Sequence, residues 1–327
     1  MTRQTDIEPR ATIVIEWENI QLAEHSRCLE MLRRLSRQID EVHAAHPEAG
    51  PLELILLYNN EDCSDADLHA AVDPYFTPAK PHCRVRFEAA PGQSYYKQKN
   101  RGAELAAAEI VVFIDSDVIP EDGWLAGLLS PFSDKKVQFV CGNSYLAATD
   151  LYSKTFALFW FFPLRATKAV FETKRTFFAN NFAMRRNTML KHPFVPVSGT
   201  TRGWCLALAH HLRENGIEIY YNSAAQVSHP APFGISHFVK RALAQGRDLV
   251  IMRHARGKGG ILRNFHKVAL LPFRATWKIV RNRRQVGLSL VETPAALAIA
   301  LAYNLLAIGG YLLTLVAPGY TRRRWHI

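Results

Sequence analysis

Apolar and polar blocks alternate along the first half of the chain and predict strands and helices in turn. Four short apolar runs predict buried strands, and two stretches between them predict helices. The strand runs are Ala11 to Trp17, Leu52 to Tyr58, Cys83 to Phe87 and Ile110 to Ile114, and the helices are Cys28 to Val42 and Lys99 to Ala108. This alternation predicts an α/β fold with parallel strands and with ligands at their carboxyl ends.

The pattern changes after Asp150. Thr155 to Leu164 is an aromatic run flanked by cationic residues, too short to span a bilayer. It suits either the headgroup boundary of a membrane or a packed internal segment. Further on, Thr176 to Met184 predicts a strand, Gly203 to Asn215 a helix, and Ile217 to Tyr221 another strand.

One C-terminal segment is long and apolar enough to cross a membrane. Thr293 to Thr321 contains no charge, and within it Ala295 to Ala317 exceeds the roughly 20 apolar residues that span a bilayer core. A buried core helix is the alternative, but core helices rarely run so far without a charge. The segment crosses once, or it turns back near Gly309-Gly310, which would keep Arg322 to Arg324 on the cytoplasmic side.

The charge distribution points to the same end of the chain. The net charge is +11, but ten Lys or Arg and no Asp or Glu lie between Leu249 and Val291, and the rest is nearly neutral. We call this stretch the basic belt. Before an apolar segment it fits anionic cytoplasmic lipid, and Gly260 to Val280 carries apolar residues that suit the interface. A nucleic-acid surface is the alternative, but it lacks a stacking platform or reading module.

Composition narrows the class of protein further. With 48% hydrophobic and 21% charged residues, the chain is neither disordered, collagen-like nor a disulfide miniprotein. Met1 to Arg10 is polar and lacks the apolar core of a signal peptide. The five cysteines show no metal or redox spacing. We therefore expect the soluble part of the chain in the reducing cytoplasm, at the inner (plasma) membrane.

The clearest candidate for chemistry is Asp115-Ser116-Asp117, which follows the apolar run ending at Ile114. Two carboxylates two positions apart on an extended backbone point the same way and can share one hard cation, Mg²⁺ or Mn²⁺. The alternative is that they cap the helix that follows at Glu121 to Trp124. Their position at the carboxyl end of a strand favours the metal site.

From the first strand to about His229, the chain resembles the family 2 glycosyltransferases, inverting enzymes of the GT-A fold. The most specific stretch is Pro91 to Pro120, which is similar to the family's Gly-x-x-x-Ala-x-Asn-x-Gly helix and the strand ending in Asp-x-Asp. The resemblance implies that Asp115 and Asp117 bind the metal and the donor diphosphate, with Asp117 central to catalysis. It also implies His229 as a third metal ligand or phosphate contact.

The same resemblance implies further donor-binding residues. Lys99 and Asn100 match the segment that packs under the nucleotide, and Lys99 would offset diphosphate charge. Asn181 belongs to a stretch similar to the Gly-x-Asn-x-Ala-x-Arg-Arg segment, which lines the donor and acceptor pocket.

Two strand ends depart from the family pattern. The first reads Glu-Trp-Glu-Asn where the family has Pro-Thr-Tyr-Asn, and by register we expect Trp17, Glu18 and Asn19 to contact base and ribose. The second reads Tyr-Asn-Asn-Glu in place of Asp-Asp-Gly-Ser, and there Asn59 can read a base edge through its amide.

A third departure concerns the catalytic base. Transfer to a neutral hydroxyl needs a group that takes its proton, which the family supplies as Glu-Asp at the start of the closing helix. Here that place reads Gly-Trp-Cys, so Cys205 stands at the position of the base. Three explanations stay open: an acceptor that is already an anion, such as a polyprenyl phosphate; a base from elsewhere, such as His192 or Glu172; or donor binding without turnover.

These observations predict an α/β, GT-A (Rossmann-like) mixed-sheet domain over 1–235, a basic interfacial helical region over 236–292 and a transmembrane or re-entrant segment over 293–327. The expected function is a membrane-associated, hexosyltransferase-like enzyme that moves a sugar from a nucleotide-sugar donor to a lipid-linked or glycan acceptor with Mn²⁺ or Mg²⁺. The alternative is a catalytically silent nucleotide-sugar-binding membrane scaffold. Membrane lipids are expected partners and nucleic acid is not.

Overall fold

The computed structural model describes residues 9–17, 25–76, 80–196, 203–255 and 262–324. The chain divides into two compact units, of which the first comprises Met1–Ser144, Arg165–Val195 and Cys205–Ser228. The second comprises Tyr145–Leu164, Pro196–Trp204 and His229–Ile327. The strands are β1 (Ala11–Glu16), β2 (Leu52–Tyr58), β3 (Cys83–Ala89), β4 (Ile110–Asp115), β5 (Ile119–Pro120), β6 (Phe139–Leu146), β7 (Phe171–Lys174), β8 (Asn181–Arg185) and β9 (Ile219–His229). The helices are α1 (His25–Ala45), α2 (Asp65–Phe76), α3 (Tyr95–Leu105), α4 (Trp124–Leu129), α5 (Leu151–Phe159), α6 (Arg186–Lys191), α7 (Trp204–Glu214), α8 (Gly234–Ala255), α9 (Leu262–Ala269), α10 (Leu271–Asn282), α11 (Thr293–Val316) and α12 (Pro318–Arg324).

The described strands form one mixed sheet in the order β3-β2-β1-β4-β8-β6-β9-β5, with β7 paired to β9. The pairs β1 to β2, β2 to β3 and β1 to β4 are parallel, whereas β8 runs antiparallel to β4. The expected mixed α/β sheet is therefore confirmed. Its register sets Glu16 beside Asp115 and Asn181 opposite Ile114, so the ends of β1 and β4 meet the start of β8 at one edge.

The core of the first unit explains why the apolar runs form strands. Residues of β1, β2 and β4 are almost completely buried, which fits runs that are apolar on both faces. Helix α1 buries the predicted stripe against this sheet and ends before Pro47, because a proline disfavours helical geometry in the residue before it. The buried stripe consists of Cys28, Leu32, Leu35, Ile39 and Val42.

Three predicted boundaries shift. Helix α3 begins four residues earlier than expected, at Tyr95, and so brings a tyrosine to the same face as Lys99. The strand expected from Thr176 begins only at Asn181, where pairing with β4 starts. Strand β9 continues to His229, because its last residues pair with β5 well past the short apolar run that predicted it.

The second unit is built around α11, which is continuous through Gly309 and Gly310. Of the two alternatives, the hairpin that breaks near Gly309-Gly310 is therefore wrong. A Cβ at either Gly310 or Gly246 of α8 would collide with the backbone of the other helix, so these glycines are needed for the close crossing of α8 and α11. Flexibility is not their role, because α11 stays helical on both sides.

The two faces of α11 differ in their surroundings. One face is buried within the unit, and the other exposes large apolar side chains. The exposed residues are Leu301, Leu305, Leu312, Leu313 and Val316. By length and composition, α11 is the one helix among the described residues that could cross a membrane, with 39% of its most apolar window buried inside the protein.

The aromatic run at Thr155 to Leu164 folds into α5 and the turn after it. Phe156 and Trp160 are buried, and α5 packs on α10 and α11. The Trp160 indole Nε1–H donates to the Tyr303 hydroxyl of α11 at 3.0 Å. Of the two interpretations, a packed internal segment therefore describes most of the run, while Phe161 stays 47% exposed.

Candidate active site

The two carboxylates of the Asp-x-Asp motif lie at the edge where β1, β4 and β8 meet. Asp115 is the last residue of β4 and Asp117 lies in the turn that follows. Asp115 is 4% exposed and Asp117 5% exposed, so both carboxylates are nearly removed from water. Burying a charged group without a partner costs free energy. The contacts of these two carboxylates therefore decide what this site can do.

Asp115 is held by two side chains from α3. The Lys99 ammonium, fully buried, lies 2.7 Å from Asp115 Oδ1. The Tyr95 hydroxyl donates to the same carboxylate, at 2.9 Å from Oδ1 and 2.8 Å from Oδ2. Burial raises the pKa of Asp115, and Lys99 opposes that rise by favouring the charged form. Burial also raises the pKa of Tyr95 well above its usual value, so this hydroxyl keeps its proton and acts as a donor.

Arg27 of α1 fixes the turn that carries Asp117. Its Nε donates to the backbone carbonyl of Asp117 at 2.7 Å, and its Nη2 donates to the carbonyl of Ser228 and to the Ser228 hydroxyl. One guanidinium thus ties the motif to the last part of β9. Glu16, fully buried at the end of β1, is a third carboxylate and lies beside Asp115 in the register of the sheet. Its negative charge also helps to raise the pKa of Tyr95.

The asparagines predicted to bind the donor use their amides within the fold. The Asn100 side chain makes two hydrogen bonds with the Phe194 backbone, both at 2.9 Å. Asn181 accepts from the Trp124 indole at 2.8 Å and donates to the Ala225 carbonyl at 2.9 Å. These contacts position α3 and β8 at the site edge, and donor contact by these residues stays a prediction.

Asn59 and the end of β1 form the other part of the predicted donor site. Asn59 lies directly after β2, where its amide donates to Asp62 at 2.7 Å and its carbonyl oxygen accepts from the Glu61 backbone at 3.2 Å. Trp17 follows β1 and is only 3% exposed. Glu18 and Asn19 lie outside the described residues.

Three side chains were candidates for the catalytic base. Burial raises the pKa of the Cys205 thiol, so at neutral pH it carries its proton and is a poor base. The Tyr96 hydroxyl lies 3.9 Å from its sulfur. Glu172 is exposed on β7 and pairs with Lys174 at 2.5 Å. His192 Nδ1 lies 3.0 Å from a ring nitrogen of His211 on α7.

His229, the expected third metal ligand, belongs to the second unit. Its ring packs on Phe162 with centroids 4.8 Å apart, and its Nδ1 lies 2.6 Å from the Pro230 carbonyl oxygen. A carbonyl can only accept, so this contact assigns the proton to Nδ1 and leaves Nε2 as the basic nitrogen. The metal role of His229 stays a prediction.

The carboxylates at this edge are of the chemical type that fits a hard divalent cation. Carboxylate oxygens are the ligands that Mg²⁺ and Mn²⁺ prefer. Both oxygens of Asp115 already accept hydrogen bonds from Lys99 or Tyr95, and metal binding by Asp115 and Asp117 stays a prediction. Among the described residues no cluster of three or more His, Cys, Asp or Glu could hold a metal. Water and diphosphate oxygens would therefore complete the shell, as Mg²⁺ commonly requires.

Comparisons with known proteins agree with this architecture. Residues 28–194, more than half of the chain, match the model of Glycosyl transferase family 2. The fold is of the GT-A type, and the chain is a glycosyltransferase that belongs to glycosyltransferase family 2. A comparison with curated protein sequences gave no match.

Three solved structures are similar to this chain at low sequence identity, and the first of them shares its fold. The mannosyltransferase PcManGT from Pyrobaculum calidifontis, in complex with GDP-Man and Mn²⁺, is 16% identical with a TM-score of 0.50, over 97% of this chain and 84% of that one. GalNAc-T7 with UDP, GalNAc and Mn²⁺ is 12% identical with a TM-score of 0.46, over 76% and 51%. A mycobacterial protein is 16% identical with a TM-score of 0.47, over 77% and 76%.

Three residues of the site edge were missed by sequence reasoning. Tyr95 stands four positions before Lys99, a helical spacing that would have placed both on one face. Glu16 is a charge inside an apolar strand run, which is itself a signal of function or pairing. Arg27 gave no signal, because its contacts lie 90 and 201 residues away in sequence.

Proposed function

We propose that this glycosyltransferase moves a sugar from a nucleotide-sugar donor with the help of Mn²⁺ or Mg²⁺, and that Asp117 is the main protein ligand of the metal. The observation that carries the proposal is the buried Asp115-Ser116-Asp117 turn at the carboxyl end of β4, where ligands of α/β sheets gather. The nucleotide and Mn²⁺ found with similar folds support it. When bound, the cation would neutralise charge on the leaving diphosphate.

The residues of this chain have separate tasks in the proposal. Lys99 and Tyr95 hold Asp115 in one orientation, so its carboxylate is fixed before the donor arrives. Arg27 fixes the backbone of Asp117. Trp17, at the end of β1, and Asn59, after β2, are proposed to border the base and ribose.

We further propose that the acceptor reaches the site as an anion, such as a polyprenyl phosphate. An anionic oxygen needs no deprotonation, so the missing Glu-Asp pair would not matter. The buried, protonated thiol of Cys205 and the engaged side chains of Glu172 and His192 support this choice over a substitute base. A glycan acceptor would instead need a base that these side chains do not readily supply.

Membrane association forms part of the proposal. The exposed apolar face of α11 and the basic belt support a division into a catalytic domain over 1–235, interfacial helices over 236–292 and a membrane segment over 293–327. The dense belt supports a catalytic domain on the cytoplasmic side of the inner (plasma) membrane.

The test uses the purified full chain with Mn²⁺ or Mg²⁺, a panel of nucleotide sugars, and polyprenyl phosphate present or absent. We measure release of nucleoside diphosphate. Asp117→Asn should lower the rate by roughly 10²-fold or more, the size of effect seen when one charge-stabilising group is removed. Asp122→Asn is the matched control, because Asp122 is an exposed carboxylate five residues away whose side chain is 75% exposed. Equal rates for Asp117→Asn and wild type would contradict the proposal.

A catalytically silent nucleotide-sugar-binding scaffold is the second candidate, favoured by the protonated Cys205 at the position of the family's base. It predicts that wild-type protein binds a donor in the presence of metal but releases no diphosphate with any acceptor. Release that depends on polyprenyl phosphate would exclude the scaffold and support the anionic acceptor.

A further inference from the structure

The second unit contains a cavity of about 240 Å³ next to α10. Its lining includes the aromatic residues Phe159 and Trp160 and the polar residues Gln245 and Asn304. Arg274 and Lys278 of α10 also line it, and both are exposed to solvent. The cavity therefore combines apolar walls, two amides and two cations within one unit of the fold.

The positive charges of Arg274 and Lys278 are available to an anionic ligand. Arg274 and Lys278 stand four positions apart, one turn of α10, and so lie on the same face. Within the described part of the chain, neither forms a salt bridge. No Asp or Glu occurs between Leu249 and Val291, so the surrounding basic belt supplies no counter-charge either. An anion would be attracted to this face of the cavity.

Both amides of the cavity are held in place by hydrogen bonds. The Trp160 indole donates to the Tyr303 hydroxyl, which in turn donates to Gln245 Oε1, each at 3.0 Å. Because Gln245 accepts through its oxygen, its NH₂ group is the end of the amide that remains to donate elsewhere. Asn304, 3% exposed, donates through its own NH₂ to the Ala300 carbonyl at 2.7 Å. The hydrogen bonds from Trp160 through Tyr303 to Gln245 therefore leave the Gln245 NH₂ group as a donor beside the two cations.

The face of α10 next to these cations is apolar and exposed. Phe273 is 72% exposed, Trp277 64% and Val280 52%, and their spacing puts them on one side of the helix. Exposed aromatic side chains next to cationic ones are typical of the membrane–water boundary. Ala275 and Ile279 form the buried side. The cationic face thus lies between the buried side and the side that would meet lipid.

We propose that this cavity, the α10 pocket, binds the phosphate headgroup of an anionic membrane lipid. Arg274 and Lys278 pair with the phosphate, the Gln245 amide donates to it, and the acyl chains follow the apolar face of Phe273 and Trp277. This site would orient the enzyme on the bilayer through one specific headgroup in addition to general attraction by the belt. The inference rests on the membrane association proposed above but not on the transfer reaction.

The test measures the thermal stability of the full chain in neutral detergent with three soluble probes: dihexanoyl phosphatidic acid, dihexanoyl phosphatidylcholine and inorganic phosphate. A ligand that binds the folded state raises Tm in a saturable manner. We expect a rise with phosphatidic acid alone. The assay contains neither donor nor metal, so its failure is distinct from a failure of the proposed transfer reaction.

Two double variants locate the site. Arg274→Gln/Lys278→Gln should lose the rise in Tm, whereas Arg281→Gln/Arg284→Gln removes the same charge from the belt outside the cavity and should retain it. All four side chains are exposed, so neither variant should disturb folding. Equal loss in both variants would overturn the pocket in favour of diffuse attraction. An equal rise with inorganic phosphate would overturn the lipid assignment, and no rise in the wild type would overturn the proposal altogether.

Discussion

Replacing Lys99 with Met tests whether the ion pair under the Asp-x-Asp turn holds the site edge together. The Lys99 side chain is 0% exposed and that of Asp115 5%, and the two charged groups are 2.7 Å apart. Methionine is flexible and similar in length, so the change removes the charge while keeping most of the packing. What remains is a buried carboxylate that still accepts from the Tyr95 hydroxyl but has lost the Lys99 charge.

The expected loss is large. Removing one partner of a buried ion pair costs about 3–5 kcal/mol, because the remaining charge is left uncompensated away from water. In a domain of roughly 150–250 residues, each kcal/mol lowers Tm by about 2–4 °C. Lys99→Met should therefore melt roughly 6–20 °C below the wild type. The double variant Lys99→Met/Asp115→Asn should regain much of this difference, since a neutral amide needs no counter-charge.

The assay follows Tm of the full chain in neutral detergent by differential scanning fluorimetry. Lys97→Met is the matched control, because Lys97 is an exposed lysine two residues earlier on α3, where substitutions change stability by less than about 0.5 kcal/mol. Melting of Lys99→Met together with Lys97→Met would refute the buried ion pair as a stabilising element. A double variant that melts no higher than Lys99→Met would show that the loss has another cause.

Two further predictions concern contacts around the site and in the first unit. Asn100→Ala should cost about 1–3 kcal/mol, because both hydrogen bonds to the Phe194 backbone are lost, and an unchanged denaturation midpoint would contradict this. Burial raises the pKa of Asp40, but hydrogen bonds from Lys80 and His82 outweigh it, so the pKa in the folded protein lies below its usual range. A lowered pKa contributes stability above about pH 4 that is lost as the pH falls through the folded-state value. Asp40→Asn should therefore destabilise the protein at pH 7 and much less near roughly pH 3, and an equal effect at both would contradict the pairing.

The extent to which the fold could be predicted follows from how local each signal is. The apolar runs of β1, β2 and β4 and the stripe of α1 were recognisable, because burial on both faces of a central strand or one face of a helix leaves a short-range pattern. The later part of β9 was missed, since its residues are held by pairing with β5. A strand stabilised by its neighbours needs no apolar run of its own.

In the second unit, too, packing between distant segments limited what the sequence could predict. The glycines of α11 suggested a break, because glycine weakens an isolated helix. In the fold they permit the backbone of α8 to approach, and the packing of the two helices outweighs the weak local propensity. The aromatic run of α5 was equally ambiguous, because its burial depends on helices that follow it by more than 100 residues.

The sequence by itself determined the class of this protein: an α/β body with an Asp-x-Asp turn after a buried strand, followed by a basic belt and one apolar helix. Each of these features is encoded by residues that are close together in the sequence, so it can be recognised without knowledge of the fold. Only the tertiary structure decided how the charged groups at the site edge are paired. It paired Asp115 with Lys99 and Tyr95, and it brought Arg27 across 90 residues to hold the backbone of Asp117. Charge pairing in a buried site depends on distances through space, and the chain alone does not contain them.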